Sequence, residues 1–125
     1  MILGIGTDIV TVARMAENLQ KIGDRFARRL LTDSEYVEFE KKHNGASYLA
    51  KRFAAKEATV KAMGTGFAEG ITWKHVCISN DEKGAPFIEL SGPAQERALS
   101  MGVQRVHLSL SDEKEHAVAF VILES

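Results

Sequence analysis

The sequence predicts a single α+β domain, and three observations lead to it. A stretch from Ser47 to Met63 carries helix punctuation at both ends, with a hydroxyl at its start and Gly64 just past its close. Two pairs of β-patterned runs, 73–79 with 86–90 and 106–111 with 117–123, are each joined by a polar loop of hairpin type. The last run, Ala117 to Leu123, is apolar at every position rather than alternately, so both faces of that strand need cover. With 125 residues, 45% apolar and 26% charged, the chain can form one core, and no linker, repeat or low-complexity segment divides residues 1–125.

The elements follow in order. Ile2 to Val10 is an apolar, β-branched run that reads as a strand and carries an acid, Asp8, near its end. Val12, Met15, Leu19 and Ile22 recur at helical spacing, and Gly23 stops that helix. Thr32 and Glu35 have capping-box spacing, which starts a short helix to about Lys41. Asn44-Gly45 breaks the chain before Ser47, the expected N-cap of the long helix. Beyond Gly64-Thr65-Gly66 the period changes to two through the first hairpin. Ser91-Gly92-Pro93 opens a helix to about Met101, stopped by Gly102, and the second hairpin ends the chain. A small α+β domain can cover one face of the last strand with the long helix; a neighbouring subunit covers the other, so a homo-oligomer is expected.

The formal net charge is −1, from 16 cations and 17 acids, but the signs are segregated. Residues 11–31 hold five cations against two acids, and residues 41–62 hold six against Glu57 alone. Residues 33–40 and 81–125 are each net −4. Two basic segments can therefore meet anionic partners by local field within a neutral total. No apolar run approaches the ~20 residues of a membrane-spanning helix, and Met1 leads into Ile-Leu-Gly without a basic stretch, so neither insertion nor export is expected. A single cysteine, Cys77, fits a reduced, cytoplasmic setting and reads as a small core residue.

On the long helix, about 100° per residue places Glu57 and Lys61 in the middle of an arc of Leu49, Ala50, Phe53, Ala54, Ala58, Val60 and Ala62. Glu followed by Lys four residues later is a favourable surface pair, but charges on a packed face demand a function or a partner. Asp8 supplies a second carboxylate. Two carboxylates without nitrogen or sulfur ligands suit Mg²⁺, which keeps water and takes phosphate oxygens from a substrate. The cations of residues 41–62 and the backbone amides of Gly64-Thr65-Gly66 are the expected phosphate holders, which points to phosphoryl chemistry. Gly4-x-Gly6 lacks a third glycine and Gly64-Thr65-Gly66 lacks a following Lys-Ser/Thr, so dinucleotide and P-loop classes are weak candidates. Alternation puts His107, Ser109 and Ser111 on one strand face, so His107 and Ser109 can line a site together. Without a nucleophile elbow, Ser109, His107 and Asp112 do not make a serine hydrolase. His43, His75 and His116 read as surface or satisfied histidines.

Together, Gly4-Ile-Gly-Thr-Asp8-Ile-Val10, Arg14, Arg52-Phe-Ala-Ala-Lys56-Glu57-Ala-x-x-Lys61-Ala-x-Gly64-Thr-Gly66 and His107-Leu-Ser109-Leu-Ser resemble the small bacterial type of the 4′-phosphopantetheinyl transferase superfamily, over nearly the whole chain. The resemblance implies an antiparallel sheet around a long central helix, a homotrimer, and active sites between subunits. It implies transfer of 4′-phosphopantetheine from coenzyme A to a serine of apo-acyl carrier protein, in support of fatty acid biosynthesis, with release of adenosine 3′,5′-bisphosphate. Asp8 and Glu57 match the Mg²⁺ ligands, and Glu57 or a water on the ion takes the serine proton. Lys61 matches the residue that meets the departing phosphate. Arg52, Lys56, Gly64, Thr65, Gly66, Pro86, His107 and Ser109 fall to coenzyme A, and Arg14, with Arg25, Phe26 and Arg28 close by, to the acidic carrier protein. Ala85 and Asp112 depart from the family pattern, where Lys and His are frequent. Nucleic acid is not an expected partner. The rivals are a non-catalytic nucleotide- or carrier-binding module and a Mg²⁺-dependent nucleotide pyrophosphohydrolase.

Overall fold

A computed structural model describes residues 1–125. Strand β1 (Ile2–Thr11) leads into α1 (Val12–Ile22), α2 (Asp24–Leu30), α3 (Asp33–Glu40) and the long α4 (Gly45–Met63). A 3₁₀ turn at Trp73–His75 precedes β2 (Val76–Asn80), β3 (Pro86–Leu90), α5 (Gly92–Met101), β4 (Arg105–Asp112) and β5 (His116–Glu124). The strands form an antiparallel sheet in the order β1-β5-β4 and a separate antiparallel hairpin, β2-β3. The α+β class and both hairpins agree with the sequence.

Three local expectations change. Helix α2 went unread because it is only seven residues long, four of them charged, so that Phe26, Ala27 and Leu30 make less than two turns of apolar period. The cap of α4 is Asn44, whose side-chain oxygen accepts from the Ser47 amide at 3.0 Å; Ser47 is itself inside the first turn. Residues 73–75 wind into a 3₁₀ turn instead of extending β2. The Thr32–Glu35 capping box forms as read, with both reciprocal bonds present.

Helix α4 is the core of the domain, buried along 13 of its 19 residues. Strand β1 packs on it through glycine. A Cβ at Gly4 would lie 2.1 Å from the Ala62 carbonyl oxygen, and one at Gly6 would lie 1.9 Å from that of Ala58. Gly4-x-Gly6 is therefore a strand-to-helix contact set by backbone approach, with alanines as the helix's share of the fit.

The sheet has two unlike faces. Ala117, Ala119, Val121 and Leu123 of β5 are buried toward α4, whereas Phe120 is 42% exposed on the other side. In register with Phe120 and its neighbours stand Ile5 and Ile9, 57% and 64% exposed. Within one chain, the all-apolar last strand is thus covered on a single face.

Candidate active site

Alternation along β1 turns Gly4, Gly6, Asp8 and Val10 toward α4, so the same close approach that needs the glycines delivers Asp8 to the helix. The Lys61 amine donates to Asp8 Oδ1 at 2.9 Å and to the Thr7 carbonyl at 3.1 Å. Glu57, one turn earlier on α4, is half-buried, and its carboxyl is held above the usual value near 4.5. Burial is the main cause; the neighbouring Asp8 charge adds to it, while Lys61 and Arg14 oppose it. Arg14, at the start of α1, lies over the Phe53 ring at 4.9 Å. Asp8, Glu57, Lys61 and Arg14, far apart in the chain, form one cluster.

The helical wheel misplaced the burial of the two charges. Lys61 is exposed, with half its side chain in solvent, and the deeply buried cation of α4 is Lys56. Because α4 is enclosed nearly all round, its apolar arc does not mark its most buried side. Lys56, expected at coenzyme A, is corrected to a structural residue. Its amine donates to Glu35 Oε1 at 2.7 Å, to the Leu30 carbonyl at 2.8 Å and to the Trp73 carbonyl at 2.9 Å. Three acceptors satisfy all its donors. Glu35 in turn receives the Thr32 and Ile78 amides, so this pair ties α2, α3, α4 and β2 together.

The expected amide cradle at Gly64-Thr65-Gly66 is also corrected. The Gly64 amide donates to the Lys61 carbonyl, and those of Thr65 and Gly66 both donate to the Val60 carbonyl. These donors close the last turn of α4, where Gly64 takes a left-handed conformation, and none is left for an anion. Arg97 of α5 clamps the same turn by donating from Nε and Nη2 to the Met63 carbonyl.

Arg52 and Pro86 come together as walls of a cavity of about 540 Å³ that Lys42, Lys51 and Asn80 also line. Arg52 is buried against the Tyr48 ring, 4.5 Å from its centroid, and donates to Asn80 Oδ1 at 3.1 Å. Its Nε has no partner. A buried, half-satisfied guanidinium beside two lysines suits an anion.

His107 and Ser109 do not join Asp8 within one chain. The register places them beside Ile122 and Phe120 on the outer sheet face, whereas Asp8 pairs with Ala119 on the inner face. Arg25 and Phe26 lie on α2, the first exposed and the second partly buried. Arg28 donates to Asp24 at 2.7 Å and stacks over Tyr36, so a partner must share it with Asp24. Asn80 and Glu124 escaped notice because single polar residues at strand ends carry no sequence pattern.

No group of three or more His, Cys, Asp or Glu side chains gathers in the chain. Asp8 and Glu57 are a two-carboxylate set of hard oxygen donors, and burial, with the neighbouring Asp8 charge adding to it, raises the Glu57 carboxyl. That donor set fits Mg²⁺, which fills its octahedron with water and substrate oxygens.

This fold is that of a known class. The family model described as the 4′-phosphopantetheinyl transferase superfamily matches residues 4–121, and the chain belongs to that superfamily. Within it, the chain is 52% identical over 124 residues to the holo-(acyl-carrier-protein) synthase of Vibrio parahaemolyticus, covering 99% of this chain and 98% of the relative. It is 50% identical over 123 residues to that of Halorhodospira halophila, with 98% of each covered. Among solved structures, the holo-(acyl-carrier-protein) synthase of Neisseria meningitidis superposes with a TM-score of 0.92 at 44% identity, covering both chains fully. The Helicobacter pylori synthase in complex with coenzyme A superposes with a TM-score of 0.83 at 32% identity, covering 96% of this chain and 99% of that one.

Proposed function

We propose that this chain is a Mg²⁺-dependent enzyme of the cytoplasm that transfers 4′-phosphopantetheine from coenzyme A to a serine of apo-acyl carrier protein, in support of fatty acid biosynthesis. The single observation that carries the reading is the Asp8–Glu57–Lys61 cluster, two converging carboxylates beside an exposed amine. The serine oxygen bonds to the phosphorus bearing the pantetheine, the pyrophosphate P–O bond breaks, and adenosine 3′,5′-bisphosphate leaves. Asp8 and Glu57 would hold Mg²⁺, which would supply electrostatic stabilisation of the charge developing on the leaving phosphate. Lys61, already turned to that side with half its length in solvent, meets the departing phosphate. Glu57 or a water on the ion would accept the serine proton. Arg52 and Pro86 hold the nucleotide end of coenzyme A in the basic cavity.

The functional unit is a homotrimer. The outer sheet face exposes Ile5, Ile9 and Phe120 side by side, and a second copy of the chain is the occupant that also resolves the position of His107 and Ser109. From that face they reach a neighbour's site, which their own sheet denies them. The acidic carrier protein docks on the basic surface of α1 and α2, at Arg14, Arg25, Phe26 and Arg28.

The test is incubation with coenzyme A, Mg²⁺ and apo-acyl carrier protein, with the carrier weighed by mass spectrometry. A phosphopantetheine adduct that fails to form when Mg²⁺ is chelated is expected. Absence of an adduct overturns the reading, and coenzyme A cleavage without an adduct identifies a pyrophosphohydrolase.

A further inference from the structure

One carboxylate that the transfer reaction leaves unassigned sits against one of its ligand residues. Glu124, near the end of β5, accepts from His107 Nε2 at 3.0 Å and from Arg105 Nε at 2.9 Å, both on the same oxygen. The strand register explains the triad. Arg105 is the direct cross-strand partner of Glu124, and His107, two residues on, is its diagonal neighbour on the same face. The hydrogen bond from His107 most of all, and then that from Arg105, hold the Glu124 carboxyl below its usual range.

We propose that Glu124 is a positioning residue: anchored by Arg105, it accepts from Nε2–H of His107 and so holds the ring in one orientation, from which the doubly protonated imidazole donates its Nδ1–H to a coenzyme A phosphate. This inference rests on the reading of His107 as a coenzyme A ligand. A ring that donates from both nitrogens has its direction set by the acceptor that the protein fixes, which here is the Glu124 carboxylate on Nε2. The side chain of His107 is half exposed, with Ile122, Ile5 and Ser109 around it on the sheet face, and none of these can fix its ring. The other titratable group on that face, His116, lies at the opposite end of β5. Glu124 is thus the one acceptor that orients the ring, and Arg105 keeps the carboxylate from rotating away.

The experiment compares wild type with Glu124→Ala, Glu124→Gln and His107→Ala, by ¹⁵N NMR of the His107 ring and by steady-state transfer kinetics. In Glu124→Ala the ring-nitrogen resonances of His107 are expected to shift, Nε2 most of all, because Nε2–H has lost its acceptor. The KM for coenzyme A should rise about five-fold, the worth of one hydrogen bond, with kcat within about two-fold of wild type. Glu124→Gln keeps an acceptor oxygen and restores most of both signals. Unchanged ring nitrogens in Glu124→Ala overturn the proposal, as does a Glu124→Gln enzyme no better than Glu124→Ala. If His107→Ala leaves the KM for coenzyme A unchanged, the reading of His107 as ligand falls, and the NMR comparison alone decides the contact between Glu124 and His107.

Discussion

Lys61 and Asp8, 53 positions apart in sequence, meet at 2.9 Å because β1 lies against α4 with no side chain between them at Gly4 and Gly6. That contact makes the geometry of the cluster depend on two hydrogen atoms. Gly6→Ala puts a methyl group 1.9 Å from a helix carbonyl, and neither backbone can yield cheaply. The expected outcome is destabilisation of about 3 kcal/mol or more, read as a lower urea midpoint, with loss of transfer activity. A wild-type midpoint would mean that β1 is not seated on α4 in this way.

Glu57 carries a testable sign. Its carboxyl titrates above 4.5 in the folded chain, so the native state favours the protonated form and ionisation costs stability as pH rises through and beyond the unfolded value. Glu57→Gln removes that cost. It should match or exceed wild-type melting at pH 7, converge with wild type below pH 4.5, and lose nearly all transfer while remaining trimeric. Mg²⁺ should raise the melting temperature of wild type and not that of the variant. Retained turnover would return Glu57 to a structural role.

The buried pair Lys56–Glu35 predicts an asymmetry. Lys56→Met leaves an uncompensated carboxylate in the core and should cost about 3–5 kcal/mol, whereas Lys56→Met with Glu35→Leu should recover much of it. Chemical denaturation of both variants checks this. Equal losses in the single and double variants would point to the backbone bonds of Lys56, not the ion pair, as the source of stability.

Phe120→Glu places a charge at the centre of the exposed sheet face. The trimer is expected to dissociate with far-ultraviolet circular dichroism retained, and transfer should fall with it, as read by sedimentation velocity and the mass assay. A trimer that survives would move the interface elsewhere.

Arg14→Glu should raise the KM for carrier protein at least ten-fold more than that for coenzyme A, and the wild-type KM for carrier should itself rise with salt. Equal effects on both substrates would count against docking at α1.

Much of this molecule was legible in its residues. Caps and stops at Gly23, Thr32, Gly64 and Gly102, and the period-two runs, are local signals that survive without tertiary context, and they placed α1, α3, α4, α5 and the hairpins. Asp8, Glu57 and Lys61 were singled out together from the residues, and the fold does bring them together, although Lys61 lies in solvent and not on a packed face. What the residues alone left open was direction and depth. Lys56 and Lys61 have the same chemistry on the same helix, yet one is sealed in the core and the other lies in solvent. Only packing decides this, since α3, β2 and the Trp73 turn close over one side of α4 and leave the edge beside β1 open. The Gly64–Gly66 amides and the outward face of His107 were settled in the same way, by hydrogen-bond partners and strand register that exist only once distant segments meet.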